Sequence, residues 1–169
     1  MKYTSAEAAK LLRRLNEEMA ALKEREGRAS VFIAALEEKP EEVRPDYDFA
    51  ETQRKLDELE RKVRMVKHAV NSFNLRTEVP GFGMTVDQML VYIPQLSERK
   101  RRLSVMANRL PKERARSVGL GGRNLVEYQY TNYDVKKAEE ALLKVTDELA
   151  RAQTALDVVN NSIGFEIGL

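Results

Sequence analysis

Apolar residues recur at alternating steps of three and four along most of the chain, the spacing that lines one face of a long helix. The first run is Leu12, Leu15, Met19, Leu22, Ala29, Ile33 and Leu36, with Glu26 in one core slot. Thr4 and Glu7 open it as a capping box, each side chain satisfying a backbone N–H that the helix leaves unpaired. Lys39-Pro40 closes it, so a helix is predicted over 5–37. The second run is Leu56, Leu59, Val63, Val66, Val70 and Phe73. Asp48 caps it with Glu51 three residues on, predicting a helix over 48–74. The segment between them carries Pro40 and Pro45 and is short, so the two helices form an antiparallel hairpin. Thr85 and Gln88 begin a third helix over 85–110, with Val86, Met89, Leu90, Ile93, Leu96, Leu103, Met106 and Leu110 as its apolar face. Pro94 lies inside and predicts a kink or break near Tyr92–Ile93. Asp134 caps a fourth helix over 134–161, with Ala138, Leu142, Val145, Leu149, Ala152, Leu156 and Val159 as its seam. Ile163–Leu169 follows as an extended tail around Gly164.

Two segments break the periodicity. LRTEVPGFGM, Leu75 to Met84, reads as a turn or loop because of Pro80, Gly81 and Gly83. In the insert 111–133, Gly119, Gly121 and Gly122 mark a turn, and Leu125 to Tyr130 alternate as a strand does. A short β-hairpin or extended arm is expected across Arg114–Tyr130. The fold class is therefore mainly α: an antiparallel bundle of long helices, or coiled-coil hairpins, with a small β-hairpin or extended insert between helices 3 and 4. All 169 residues fit a single helical domain.

Composition supports long amphipathic helices, with 43% hydrophobic and 33% charged residues. It also excludes chemistry. The chain has no cysteine and one histidine, His68. Disulfides, thiolate catalysis and His/Cys metal centres within one chain are ruled out. The opening MKYTSAEAAKLLRRLNEEM lacks the apolar stretch of a secretory leader, and no apolar run reaches bilayer length. A cytoplasmic protein without membrane partners is the expectation.

Charge adds one feature. From Arg99 to Arg123 there are nine basic residues and one acid, Glu113, a net +8 that leaves −6 for the rest of a chain whose total is +2. Such a segment on an acidic body invites an anionic partner. Arg109, Lys112, Arg114, Arg116 and Arg123 offer charge and paired donors for phosphate. Tyr128, Tyr130 and Tyr133 offer rings and hydroxyls, and Asn132 an amide. The glycines match neither a phosphate-binding loop with its Lys-Ser/Thr ending nor a dinucleotide fingerprint. Against this stands a plain reading of the insert as an exposed arm or an oligomer contact.

Other constellations point to structure. Arg99 to Arg102 spread around one helical turn and suit a solvated face paired with neighbouring glutamates, with Lys100 on the projected seam. The stretch Asn71 to Asn74, with Arg76, Thr77, Pro80, Phe82 and Met84, suits a pocket rim or the apolar cap of a helix end. His68 has no partner fixed by spacing, and Met65 stands where a di-iron Glu-x-x-His motif needs its glutamate. Glu17-Glu18, Glu37-Glu38 and Glu139-Glu140 are adjacent pairs that diverge on a helix. No catalytic set emerges, and neither a metal nor a cofactor is expected.

Four stretches resemble the septicolysin-like family of small bacterial and phage proteins: AAKLLRRLNEEMAALKEREGRAS, VKHAVNSFN, MTVDQMLVYIPQLSERKRRLSVM and NYDVKKAEEALLKVTDELARAQTALDVVNNSIGFEI. Together they span most of the chain. The resemblance implies long helical hairpins and self-assembly, and it carries over no catalytic residue.

The expected function is that of a non-enzymatic, oligomeric binding protein. Its basic Gly/Tyr insert would hold a nucleotide or other anionic small molecule, for example to sequester a nucleotide signal, with nucleic acid a weaker candidate. The alternative is a structural or assembly protein of coiled-coil type without a small-molecule ligand.

Overall fold

The computed structural model describes residues 1–115 and 127–169. Elements follow in the order β1 (Lys2–Thr4), α1 (Ser5–Ala29), α2 (Pro40–Val43), α3 (Phe49–Arg76), β2 (Glu78–Val79), β3 (Met84–Thr85), α4 (Val86–Ala107), β4 (Lys112–Arg114), β5 (Tyr128–Tyr130), α5 (Val135–Ser162) and β6 (Gly164–Glu166). The fold is mainly helical, with small antiparallel strand pairs. Its contacts group into two compact units, one of 1–77 with 158–169 and one of 78–157.

In the first unit α1 starts where its capping box predicts. The Glu7 N–H donates to the Thr4 hydroxyl at 3.3 Å, and the Thr4 N–H donates to the Glu7 carboxylate at 2.8 Å. Hydrogen bonds from the Thr4 backbone and then its side chain hold the Glu7 carboxyl below its usual pKa. Asp48 caps α3 by accepting from the Glu51 N–H at 2.9 Å.

Two contacts set α1 antiparallel to α3. Lys23 reaches Glu60 at 3.9 Å, and Gln53 donates to Glu26 at 2.6 Å. Glu26 is tolerable on the seam because it is satisfied twice, the second time by the Tyr47 hydroxyl at 2.9 Å. Desolvation, followed by this bond, raises the Tyr47 pKa. The seam buries Ala8, Leu11, Leu15, Leu59 and Val66 around Ile167, with Leu12, Met19 and Leu22 at its margin.

The first helix ends at Ala29, not at residue 37. The Ser30 N–H closes the last turn on the Glu26 carbonyl at 2.9 Å. The heptad continues in sequence, but Glu26 already faces the first turns of α3. Past Ala29, which still lines a pocket with Pro40, Arg44 and Tyr47, the apolar face is left uncovered, and Val31, Ile33 and Leu36 are 78%, 94% and 103% exposed. Helices of this kind persist mainly where an apolar face is covered. The expected loop 39–47 contains the single-turn helix α2, begun by Pro40 at its first position.

The tail and the chain start form a sheet that the pattern did not indicate. β1 and β6 pair antiparallel, Lys2 opposite Glu166, Tyr3 opposite Phe165 and Thr4 opposite Gly164. The Ile167 N–H extends the ladder to the Met1 carbonyl at 3.1 Å. Phe165 stacks on Phe73, ring centroids 4.6 Å apart and planes 28° from parallel.

In the second unit β2 and β3 make a tight hairpin, with Gly81 and Gly83 at φ of +81° and +59°. Those angles favour glycine. It leads into the Thr85–Gln88 capping box, both arms of which are made. α4 is continuous through Pro94, so of the expected kink or break the break does not occur. Pro94 has no N–H for the Leu90 carbonyl, but Leu90 is exposed, so water can take that acceptor. The helix stops at Ala107, short of residue 110. Leu110 is also exposed.

α4 buries Val86, Met89 and Leu96, and α5 buries Ala138, Val145, Leu149, Ala152 and Leu156 within this unit. The Tyr92 hydroxyl donates to Glu148, and the Tyr133 hydroxyl donates to the Met106 carbonyl at 2.9 Å. These bonds set α4 antiparallel to α5.

Candidate functional site

The expected strand insert forms a two-stranded ribbon. β4 and β5 pair antiparallel, Lys112 opposite Tyr130, Glu113 opposite Gln129 and Arg114 opposite Tyr128. Two further bonds extend it, from the Thr131 N–H to the Pro111 carbonyl at 3.2 Å and from the Ala115 N–H to the Glu127 carbonyl at 2.9 Å. Register and side-chain alternation then sort the residues by face. Lys112, Arg114, Tyr128 and Tyr130 share one side, and Glu113 and Gln129 the other. One face is cationic and aromatic, and the acid that would neutralise it points away.

That face is ordered by its own chemistry. The Lys112 ammonium stands 4.2 Å from the Tyr128 ring centroid and 5.4 Å from that of Tyr130. Cation–π attraction holds it there, worth about 0.5–1 kcal/mol at an exposed site. The rings stay accessible, Tyr128 at 48% and Tyr130 at 62%. A second flat group can therefore stack on them while its anionic end meets Lys112 and Arg114.

The remaining expected site residues divide. Tyr133 does not join the ribbon face. It is half-buried and its hydroxyl is committed to the Met106 carbonyl, so its role is to anchor the segment before α5 to the end of α4. Arg109 is exposed just after α4, its N–H donating to the Met106 carbonyl at 3.3 Å. Asn132 is exposed beyond β5. Arg116 and Arg123 lie outside the described residues, as do Gly119, Gly121 and Gly122. Sequence reasoning missed the stacking of Lys112 on the tyrosines, although the i, i+2 spacing of both pairs was the signal for it.

Arg99, Arg101 and Arg102 are exposed, and Lys100, on the projected seam, is half-buried. Arg101 makes a two-pronged pair with Glu98 on its own helix, at 2.9 and 2.7 Å. That pair lowers the Glu98 pKa and raises that of Arg101. Along the α1–α3 seam a groove of about 400 Å³ mixes Glu18 and Glu58 with Arg25, Lys55 and Lys62. Its lysines are already paired, Lys55 with Glu51 at 2.5 Å and Lys62 with Glu58 at 2.9 Å. Hydrogen bonding to Glu148, then burial, raises the Tyr92 pKa. Among the described residues no three or more His, Cys, Asp or Glu side chains cluster as metal ligands, and no helix is long and apolar enough to cross a membrane.

No family model matches the chain, and no curated protein matches it. A crystal structure of a functionally unknown conserved protein from Corynebacterium diphtheriae is similar, with a TM-score of 0.57 and 15% identity over 98% of this chain and 100% of that one. At that identity the likeness is one of fold.

Proposed function

We propose that the protein is a non-enzymatic binding protein whose β4–β5 ribbon holds an anionic, aromatic small molecule of nucleotide type. The observation that carries this reading is the pairing of Lys112 and Arg114 with two exposed tyrosines on one ribbon face. A base would stack on Tyr130 or Tyr128, worth roughly 1–3 kcal/mol. Phosphate would meet Lys112 and Arg114, with Arg109, Arg116 and Arg123 adding charge from the flanking chain. Holding without conversion would amount to sequestration of a nucleotide signal. A cysteine-free chain suits the reducing cytoplasm, where nucleotides are abundant.

A thermal-shift panel of nucleoside mono-, di- and triphosphates tests this. At least one is expected to raise the melting temperature. The double variant Lys112→Ala/Arg114→Ala should weaken that ligand by about tenfold or more. An unresponsive protein, or a double variant that binds as well as wild type, would remove the ribbon from consideration.

Self-assembly is the second reading. It is favoured by the exposed apolar run Val31, Ile33 and Leu36 and by the resemblance to septicolysin-like proteins. Light scattering should then give a multiple of the 19.3 kDa chain mass, returning to that mass in Ile33→Glu/Leu36→Glu. A monomer at every concentration would eliminate it.

A further inference from the structure

We propose that the groove between the C-terminal half of α3 and β6 binds a small carboxylic acid with a flat apolar body. The groove holds about 480 Å³, within the roughly 300–1,000 Å³ common for small-molecule sites. The stacked rings of Phe73 and Phe165 line it, together with Met65. Phe73 is buried beneath its partner, so the half-buried Phe165 ring and Met65 supply the aromatic and thioether surface on which a flat ring packs.

One wall carries polar side chains and one cation, Arg76. His68 and Arg76 lie eight residues apart on α3, with Ser72 midway, so they form a single stripe along the groove. Among the described residues neither the His68 nor the Arg76 side chain has an ion pair or a hydrogen-bond partner. Arg76 is exposed and lines the groove, and its planar fork matches a carboxylate in shape and charge.

The facing strand sets the charge of the occupant. Glu166 also lines the groove. Against one arginine, that carboxylate would repel a dianionic phosphate more than a singly charged head. A carboxylic acid fits both walls, its head on Arg76 and its ring on Phe165 and Met65. The end of α3 from Asn71 to Asn74, with Arg76 and Thr77, which sequence alone left between a pocket rim and an apolar cap, supplies both the groove wall and the Phe73 cap. Nothing in this site depends on the β4–β5 ribbon.

The test uses the full chain labelled with ¹⁵N and 3-phenylpropionate as the probe. Saturable amide shifts are expected at Ala69, Ser72, Arg76 and Gly168. The neutral amide of the same acid should bind at least about tenfold more weakly. Arg76→Gln, an exposed change that leaves the stack intact, should cause a similar loss, and Arg76→Lys a smaller one. Equal binding of acid and amide overturns the proposal. So do an Arg76→Gln protein that binds unchanged, or no saturable shift at about 10 mM probe.

Discussion

Val66→Asp is expected to abolish the cooperative unfolding transition of the α1–α3 unit, or to lower its midpoint by about 10 °C or more. Val66 is 0% exposed and packs in the cluster of Ala8, Leu11, Leu15, Leu59 and Ile167. None of these can pair with a carboxylate, so the group must either ionise without a partner or take up a proton. Either way the cost is about 4 kcal/mol or more, a large part of the ~5–15 kcal/mol that holds a domain folded. For a chain of this size each kcal/mol moves the midpoint by roughly 2–4 °C. Val66→Ala, which removes two methyl groups, should cost about 2 kcal/mol and keep the fold. Circular dichroism melts of both variants check the pair. An aspartate protein melting with wild type would mean that this face of α3 is not the packed one.

Phe73→Ala carries the second large effect. Truncating a buried phenylalanine costs about 3–5 kcal/mol, and the lost ring pair with Phe165 lies within that figure. Phe73 is 6% exposed and is the partner on which Phe165, in the middle of β6, rests. The damage should therefore concentrate at the chain ends. Hydrogen exchange is expected to speed up first at the β1 and β6 amides, while the middle of α3 keeps more protection. Phe73→Leu should recover part of the loss. Full protection of β6 in Phe73→Ala would show that the strand is held by its backbone ladder alone.

The helices were legible because each cause sits in the residues themselves. Thr4 with Glu7, Thr85 with Gln88, and Asp48 act within one turn, and all three caps are made. The seam of α5 needed only its own spacing. What failed depends on partners. The pattern 29, 33, 36 cannot say that α3 starts too late to cover it, so the seam runs on in sequence past the end of α1 at Ala29. Strands of two or three residues, as in β1, β2 and β6, are too short for alternation to show. The ribbon was visible as alternating tyrosines beside basic residues, and its shared face then followed from register. The surroundings of Tyr133 were not legible for a related reason. A tyrosine looks the same in sequence whether its hydroxyl faces solvent or, as here, closes on the Met106 carbonyl.

The pairing of β1 with β6 also bears on the order in which the chain can fold. Contacts between residues 2–4 and 164–166 close a loop of almost the whole length described, among the most entropically costly connections available to it. The 78–157 unit is contiguous, whereas its companion needs Phe165 and Ile167 to finish its core. On the ribosome those residues emerge after every residue of the contiguous unit. The first unit to be started is thus the last to be completed, and until then α1 and α3 hold a core with one side open.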